Sequence, residues 1–136
     1  MTPTTPRGVR ISHIGIAVEA LAPNLPFFRD ILGLDEVELD DADGARIAGF
    51  DAGGSLVELL EASDADSPIG RFVAKRGAGL HHICFSVDDL DGTLERCRRA
   101  GIQLIDDVPR IGAEGKRIAF LHPRSTGGVL IELSDH

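Results

Sequence analysis

Gly79-Leu-His-His-Ile-Cys-Phe-Ser-Val-Asp-Asp89 is the stretch whose reading decides the fold. Ile83, Phe85 and Val87 alternate with His82, Cys84 and Ser86. Side chains in a strand point alternately to its two faces, so one face here is apolar and the other small and polar. His82 stands on the small face. Earlier in the chain, His13-Ile-Gly-Ile-Ala-Val18 repeats the design, with Ile14, Ile16 and Val18 opposed to His13, Gly15 and Ala17. Two strands that each set a histidine above small residues read as two halves of one site.

The segments around them repeat as well. Ala22–Gly33 carries proline near its start, glycine at its end and an apolar stripe of Leu25, Phe28 and Leu32, the marks of a helix. Strand-like segments follow over about 36–40, 45–51 and 56–61, separated by Asp41-Ala-Asp-Gly44 and Ala52-Gly-Gly54 as turns. Ser67-Pro68 opens a second helix ending near Gly77. After the His82 strand, Asp91–Ala100 reads as a helix with Leu90, Leu94 and Cys97 turned inward, and strands are expected over 103–108, 117–122 and 129–134. The order is β-α-β-β-β, a linker helix, then β-α-β-β-β.

Residue correspondences carry the duplication. Arg46-Ile-Ala48 answers Arg117-Ile-Ala119, and Leu56-Val-Glu-Leu59 answers Leu130-Ile-Glu-Leu133. From His13 to Glu58 is 45 residues and from His82 to Glu132 is 50, so the second unit holds five more, most naturally in a loop at Ile111–Lys116. Two copies of so long a period make a tandem module. The expected fold is α+β: tandem modules forming one curved mixed sheet around a metal site, with helices outside. Its expected divisions are a flexible N-terminal arm over 1–10 and a single domain over 11–136, comprising module one (11–62), a linker helix (63–78) and module two (79–136).

Each unit opens on a histidine strand and closes on a glutamate strand. Glu58 shares a face with Leu56 and Leu60, and Glu132 with Leu130 and Ser134. A carboxylate buried among apolar neighbours is costly unless it is paired or holds a metal. Two imidazoles and two carboxylates from His13, Glu58, His82 and Glu132 suit a divalent transition metal in octahedral geometry with two open positions. Strand parity sets His81 on the apolar face, as a supporting residue.

Composition narrows the partners. A net charge of -8 argues against nucleic acid. Residues 1–66 hold 4 basic and 13 acidic side chains, whereas residues 67–136 hold 10 and 9, so the second half better seats an anion. No apolar run approaches the roughly 18 residues of a membrane helix, and the polar start MTPTTPRGVR lacks the apolar centre of a signal peptide. A cytoplasmic setting is expected. Cys84 and Cys97 form no C-x-x-C pair and read as buried reduced thiols.

With the paired metal site in view, the chain resembles the vicinal oxygen chelate superfamily of glyoxalase I, extradiol dioxygenases and bleomycin-resistance proteins. Asp66-Ser-Pro-Ile-Gly-Arg-Phe72, Gly79-Leu-His-His-Ile83, Gly112-Ala-Glu-Gly-Lys-Arg117 and Phe120-Leu-His-Pro-Arg-Ser-Thr-Gly-Gly-Val-Leu-Ile-Glu-Leu133 resemble the methylmalonyl-CoA epimerase family, over about residues 55–134. Residues 11–50 match only the superfamily pattern, through His13-Ile-Gly-Ile-Ala-Val18 and Phe28-Arg-Asp-Ile-Leu-Gly-Leu34.

The resemblance implies a metal (cobalt, or nickel, manganese or zinc) on His13, Glu58, His82 and Glu132, with Gln or Glu usual at the position of Glu58. It implies epimerisation at C2 of an acyl-CoA thioester, with Glu132 as one catalytic carboxylate, and a homodimer. The family places its other catalytic glutamate where this chain has Ala42. Asp43, or Asp41, is the stand-in from the same turn, one methylene shorter; both are also ordinary turn formers. Lys116, Arg124 and Ser125 are candidates for the anionic parts of a coenzyme A ester, alongside the backbone N–H groups of Ser125–Gly128. His122 reads as a supporting residue or a proton carrier. Alternative functions are a glyoxalase-type isomerase (lactoylglutathione lyase-like) and a non-enzymatic small-molecule binder of the bleomycin-resistance kind.

Overall fold

In the computed structural model, which describes residues 8–42 and 44–136, eight strands form one curled sheet. They are β1 (Arg10–Val18), β2 (Asp35–Val37), β3 (Ala45–Ala52), β4 (Ser55–Ala62), β5 (Gly79–Ser86), β6 (Arg110–Ile111), β7 (Arg117–Leu121) and β8 (Leu130–Ser134). Their order across the sheet is β2-β3-β4-β1-β5-β8-β7-β6. The two halves mirror each other about the antiparallel β1–β5 seam.

The register shows how closely the halves correspond. β1 runs parallel to β4 with His13 opposite Leu56, and β5 runs parallel to β8 with His82 opposite Leu130. In both halves the glutamate lies two residues past that partner, which brings Glu58 and Glu132 beside the histidines on the concave face.

The apolar alternation builds the outer face. Val18, Phe50 and Leu59 bury against Leu25 and Phe28 from the segment after β1. On the other half, Leu133, Leu121 and Val87 bury against Leu90 and Leu94 of helix α2 (Leu90–Arg99). Each fully buried leucine contributes about 1.5–3 kcal/mol of transfer free energy. Asp89 caps α2 by accepting the N–H of Gly92.

Helix α1 (Pro68–Arg76) departs from the expectation of helices outside the sheet. Its Ile69, Phe72 and Val73 pack on Ala17, Ala45 and Leu60, residues of the concave parity, so α1 closes one end of the hollow. Ser67 caps it through the N–H of Gly70.

Two segments differ from the sequence reading. The helix expected over 22–33 forms over 22–31 but is irregular, wound as a tight 3₁₀ turn at Ala22–Asn24 and as a wider π turn at Phe27–Ile31. Pro23 and Pro26 supply no N–H, and Leu32 and Leu34 reach back to the carbonyls of Phe27 and Phe28. The strand expected over 103–108 is reduced to a single Leu104–Leu121 bridge. There the Asp106 carboxylate accepts the N–H of Phe120 in place of a backbone carbonyl, and Pro109 donates nothing. The edge strand instead forms at Arg110–Ile111. Of the N-terminal arm, residues 1–7 lie outside the described residues.

Candidate metal centre

His13, Glu58, His82 and Glu132 are each at most 5% exposed, on the floor of the concave face. His13 Nε2, His82 Nε2 and Glu132 Oε1 form a triangle with all three sides at 3.0 Å. Ligands about 2.1 Å from a metal ion in adjacent octahedral positions stand about 3.0 Å apart, so this triangle has the shape of one octahedral face. Glu58 approaches from the other side of the ring, its Oε2 at 3.4 Å from His13 Nδ1. That oxygen is buried and has no hydrogen-bond partner among the described residues. An orphaned carboxylate oxygen beside the His13 imidazole and near the Glu114 and Glu132 carboxylates is the chemistry of a cation site.

The strands make room for the rings. Gly15 lies opposite His82, and a Cβ at Gly15 would fall 2.2 Å from His82 Cε1. Cys84 lies opposite His13 and is fully buried, and both cysteines are free thiols. Pairing steps from Ile11–Phe85 to His13–Cys84, and from Gly15–His82 to Ile16–Leu80. Ser12 and His81 are thus the extra residues of two bulges, one before each histidine. A bulge re-aims its side chain. His81 therefore lines the cavity, contrary to strand parity, with its Nδ1 2.9 Å from His82 Nδ1 and its ring edge-on to Phe72. Ser12 Oγ lies 3.2 Å from His13 Nδ1 in the matching position.

A further carboxylate enters that the sequence reading left unassigned. Glu114, in the loop between β6 and β7, places Oε2 at 2.8 Å from His13 Nδ1. The extra length assigned to Ile111–Lys116 was its only sequence signal. Charge follows from the packing. Burial disfavours a charged His13, but hydrogen bonds to Cys84, Glu114 and Glu132 outweigh it and push His13 up to about 12. Burial raises Glu58 to about 8 despite the attraction of His13. Glu132 is also penalised by burial, yet His13 and His82 hold it down at about 2. Burial, then the neighbouring His82, lowers His81 to about 4. His13 thus holds a proton amid three carboxylates, where a dication would meet the same need.

The floor opens into a cavity of about 630 Å³, within the range of small-molecule sites. Lys116 and Arg110 line it, as do Ile105, Ile118 and Phe120. Arg110 stacks over the Phe120 ring at 5.5 Å and pairs with Asp106. Arg124 and Ser125 do not line it: they lie in the turn Pro123–Ser125, where the Ser125 hydroxyl accepts the N–H of Gln103. His122 is outside it as well, accepting the N–H of Arg124. Asp41 is exposed and accepts the N–H of Ile47, a turn role. Asp43 lies outside the described residues, while its neighbours Ala42 and Gly44 line the cavity.

A curled, duplicated sheet with a histidine–glutamate floor defines the class. The Glyoxalase/Bleomycin resistance protein/Dioxygenase superfamily model matches residues 10–133, and the chain belongs to that superfamily. It is 42% identical over 128 residues to the uncharacterized protein YqjC of Bacillus subtilis, spanning 93% of this chain and 91% of that protein. To the mitochondrial methylmalonyl-CoA epimerase of Mus musculus it is 37% identical over 127 residues, 91% of this chain and 71% of the relative. A Streptomyces coelicolor methylmalonyl-CoA epimerase variant solved with 2-nitronate-propionyl-CoA superposes with a TM-score of 0.86 at 37% identity, covering 93% and 96% of the two chains. Within the superfamily the chain therefore falls among the methylmalonyl-CoA epimerases and their relatives.

Proposed function

We propose that this chain is a metal-dependent epimerase that interconverts the C2 epimers of methylmalonyl-CoA, or of a close acyl-CoA, through an enolate. The observation that carries the reading is the 3.0 Å triangle of His13, His82 and Glu132 facing a cavity with cationic side chains on its wall. Its likeness to epimerases with acyl-CoA ligands supports the substrate class.

His13, His82 and Glu132 would hold a divalent ion; Glu58, the fourth ligand that the sequence offers, stands at the Nδ1 edge of the His13 ring and not at that triangle. When bound, that ion supplies positive charge against the oxygens on which an enolate's charge develops. The remaining work belongs to the chain. Gly15 and Phe120 fix the His82 ring from two sides. The apolar wall of Ile105, Ile118 and Leu130 excludes water from a carbanion-like centre. Lys116 and Arg110 favour an anionic acyl group or the phosphates of the coenzyme arm. Glu132 is one of the two carboxylates that exchange the C2 proton; Asp43 is the stand-in carboxylate that the sequence offers for the other.

The test is proton–deuterium exchange at C2 of methylmalonyl-CoA in heavy water, with a divalent metal supplied. Exchange well above background is expected, and its absence refutes the epimerase reading. The same reading expects a homodimer, which sedimentation equilibrium measures directly.

A further inference from the structure

Inversion at a planar carbon needs a proton-transfer group on each face of the enolate. Glu132 lies in the sheet, and so serves the face turned to the floor. The other face looks away from the sheet, towards the loops that lean over the cavity. Two loops occupy equivalent places in the duplicated fold, residues 38–44 between β2 and β3 and residues 112–116 between β6 and β7. From the first, Ala42 lines the cavity with only a methyl group, and Asp41 is held at the surface by the Ile47 N–H.

The second loop is different. It crosses from the second half of the molecule to the first, where the Asp40 N–H donates to the Ala113 carbonyl at 3.3 Å. That crossing brings Glu114 over His13 at 2.8 Å. Its side chain is 19% exposed, against 3% for Glu58 and 6% for Glu132, so among the described carboxylates meeting at His13 it is the one most open to solvent, and it lines the cavity. Asp64 and Asp66 also line the cavity, but from the turn before α1, where Asp64 accepts the Asp66 N–H.

We propose that Glu114 is the second proton-transfer carboxylate, acting from the loop side while Glu132 acts from the sheet side. This rests on the epimerase reading above. In one direction a Glu114 oxygen takes the C2 proton. The electron pair of the C2–H bond enters the C1–C2 bond, and the π pair of the thioester carbonyl moves onto its oxygen. The enolate collapses as Glu132 returns a proton to the opposite face of C2. The reverse direction exchanges the two roles. The carboxylate pair holds one proton before and after turnover and two while the enolate stands; each turnover shifts the resting proton from one member to the other, and Glu114 re-equilibrates it with solvent, so no other reactant is consumed. The lengthened loop of the second module thereby supplies the carboxylate that Ala42 does not.

The experiment compares the wild-type protein, Glu114→Gln and Asp43→Ala on each epimer of methylmalonyl-CoA in heavy water, with bound metal measured on the same samples. Glu114→Gln is expected to slow epimerisation by at least about 100-fold while one epimer still exchanges its C2 proton through Glu132. Metal content should be unchanged. Epimerisation unaffected by Glu114→Gln overturns the proposal, as does a loss that appears in Asp43→Ala instead. Loss of bound metal from Glu114→Gln also overturns it, because Glu114 is then a ligand. Exchange absent from the wild type refutes the epimerase reading itself, whereas exchange present in the wild type and untouched in Glu114→Gln refutes only this assignment.

Discussion

Replacing Gly15 with alanine adds one methyl group to β1, and the structure says where it lands. The new Cβ would stand 2.2 Å from His82 Cε1, 2.5 Å from Nδ1 and 2.9 Å from Nε2. Ordinary carbon contacts are about 3.5–4.0 Å, so the ring must retreat by more than an ångström. Phe120 on one side and His13 on the other leave little room for that. The triangle of 3.0 Å sides would open, and metal binding with it. Disturbing the support of a metal ligand costs about 10–100-fold in affinity. At a metal concentration about 100 times Kd, binding stabilises the fold by about 2.7 kcal/mol; a 100-fold weaker site retains about 0.4 kcal/mol. At about 3 °C per kcal/mol for a chain of this size, the metal-induced rise in Tm falls from about 8 °C to about 1 °C. The metal-free protein loses about 1–3 kcal/mol from overpacking alone. Differential scanning calorimetry with and without a divalent metal reads both effects. A Gly15→Ala protein with the full metal-induced rise would show that His82 does not need the space and is not held as a ligand.

Other outcomes follow from the same geometry. Without metal, the His13 contribution to stability is complete below pH 6.5 and drains as pH rises towards 12, because its folded pKa is raised. That of Glu58, raised from 4.5 to about 8, drains between those values, while that of Glu132, lowered from 4.5 to about 2, is lost as pH falls through that range. His81, lowered from 6.5 to about 4, adds stability as pH rises between those values and offsets Glu58 there, so metal-free Tm should level off between about pH 4.5 and 6.5 and fall towards pH 8. Glu58→Gln should turn that level stretch into a rise and make the decline between pH 6.5 and 8 shallower, and an unchanged profile would remove Glu58 as a cause. Replacing His81 with alanine removes the 2.9 Å partner of His82 Nδ1 and should weaken metal binding by about 10–100-fold in a chelator competition; wild-type affinity would make His81 a packing residue only. Leu94→Ala, at a side chain 1% exposed beneath α2, should cost about 2–5 kcal/mol in urea unfolding with the metal site intact. A cost below that range would mean that the site collapses around the missing atoms.

Fold class was legible because period-2 alternation and a duplicated vocabulary are local properties of the chain. His13-Ile-Gly-Ile-Ala-Val18 and Gly79–Asp89 state their own faces, and Leu56–Leu59 and Leu130–Leu133 state their correspondence. The curled mixed sheet of two paired halves matches that reading, and the superfamily match covers both. The reading failed where a side chain or a proline replaces ladder hydrogen bonds, as at Asp106 and Pro109, because such substitutions depend on what stands opposite.

The site divides in the same way. Strand parity alone put His13, Glu58, His82 and Glu132 on faces that can converge, and the register brings them together. Parity also set His81 on the wrong face, since a bulge is a property of a strand pair and not of one strand. Arg124 and Ser125 read as ligand contacts from charge and glycine alone, yet their turn sits off the cavity. Glu114 could not be singled out, because nothing local tells a loop carboxylate that crosses to the other half of the molecule from one that points to water. The sequence by itself determined which residues share a face, through the two-residue period of an extended chain. Only the tertiary structure decided which of those faces meet, which side chains the bulges turn inward, and that the β6–β7 loop carries a third carboxylate to His13, because these depend on contacts between residues far apart in the chain.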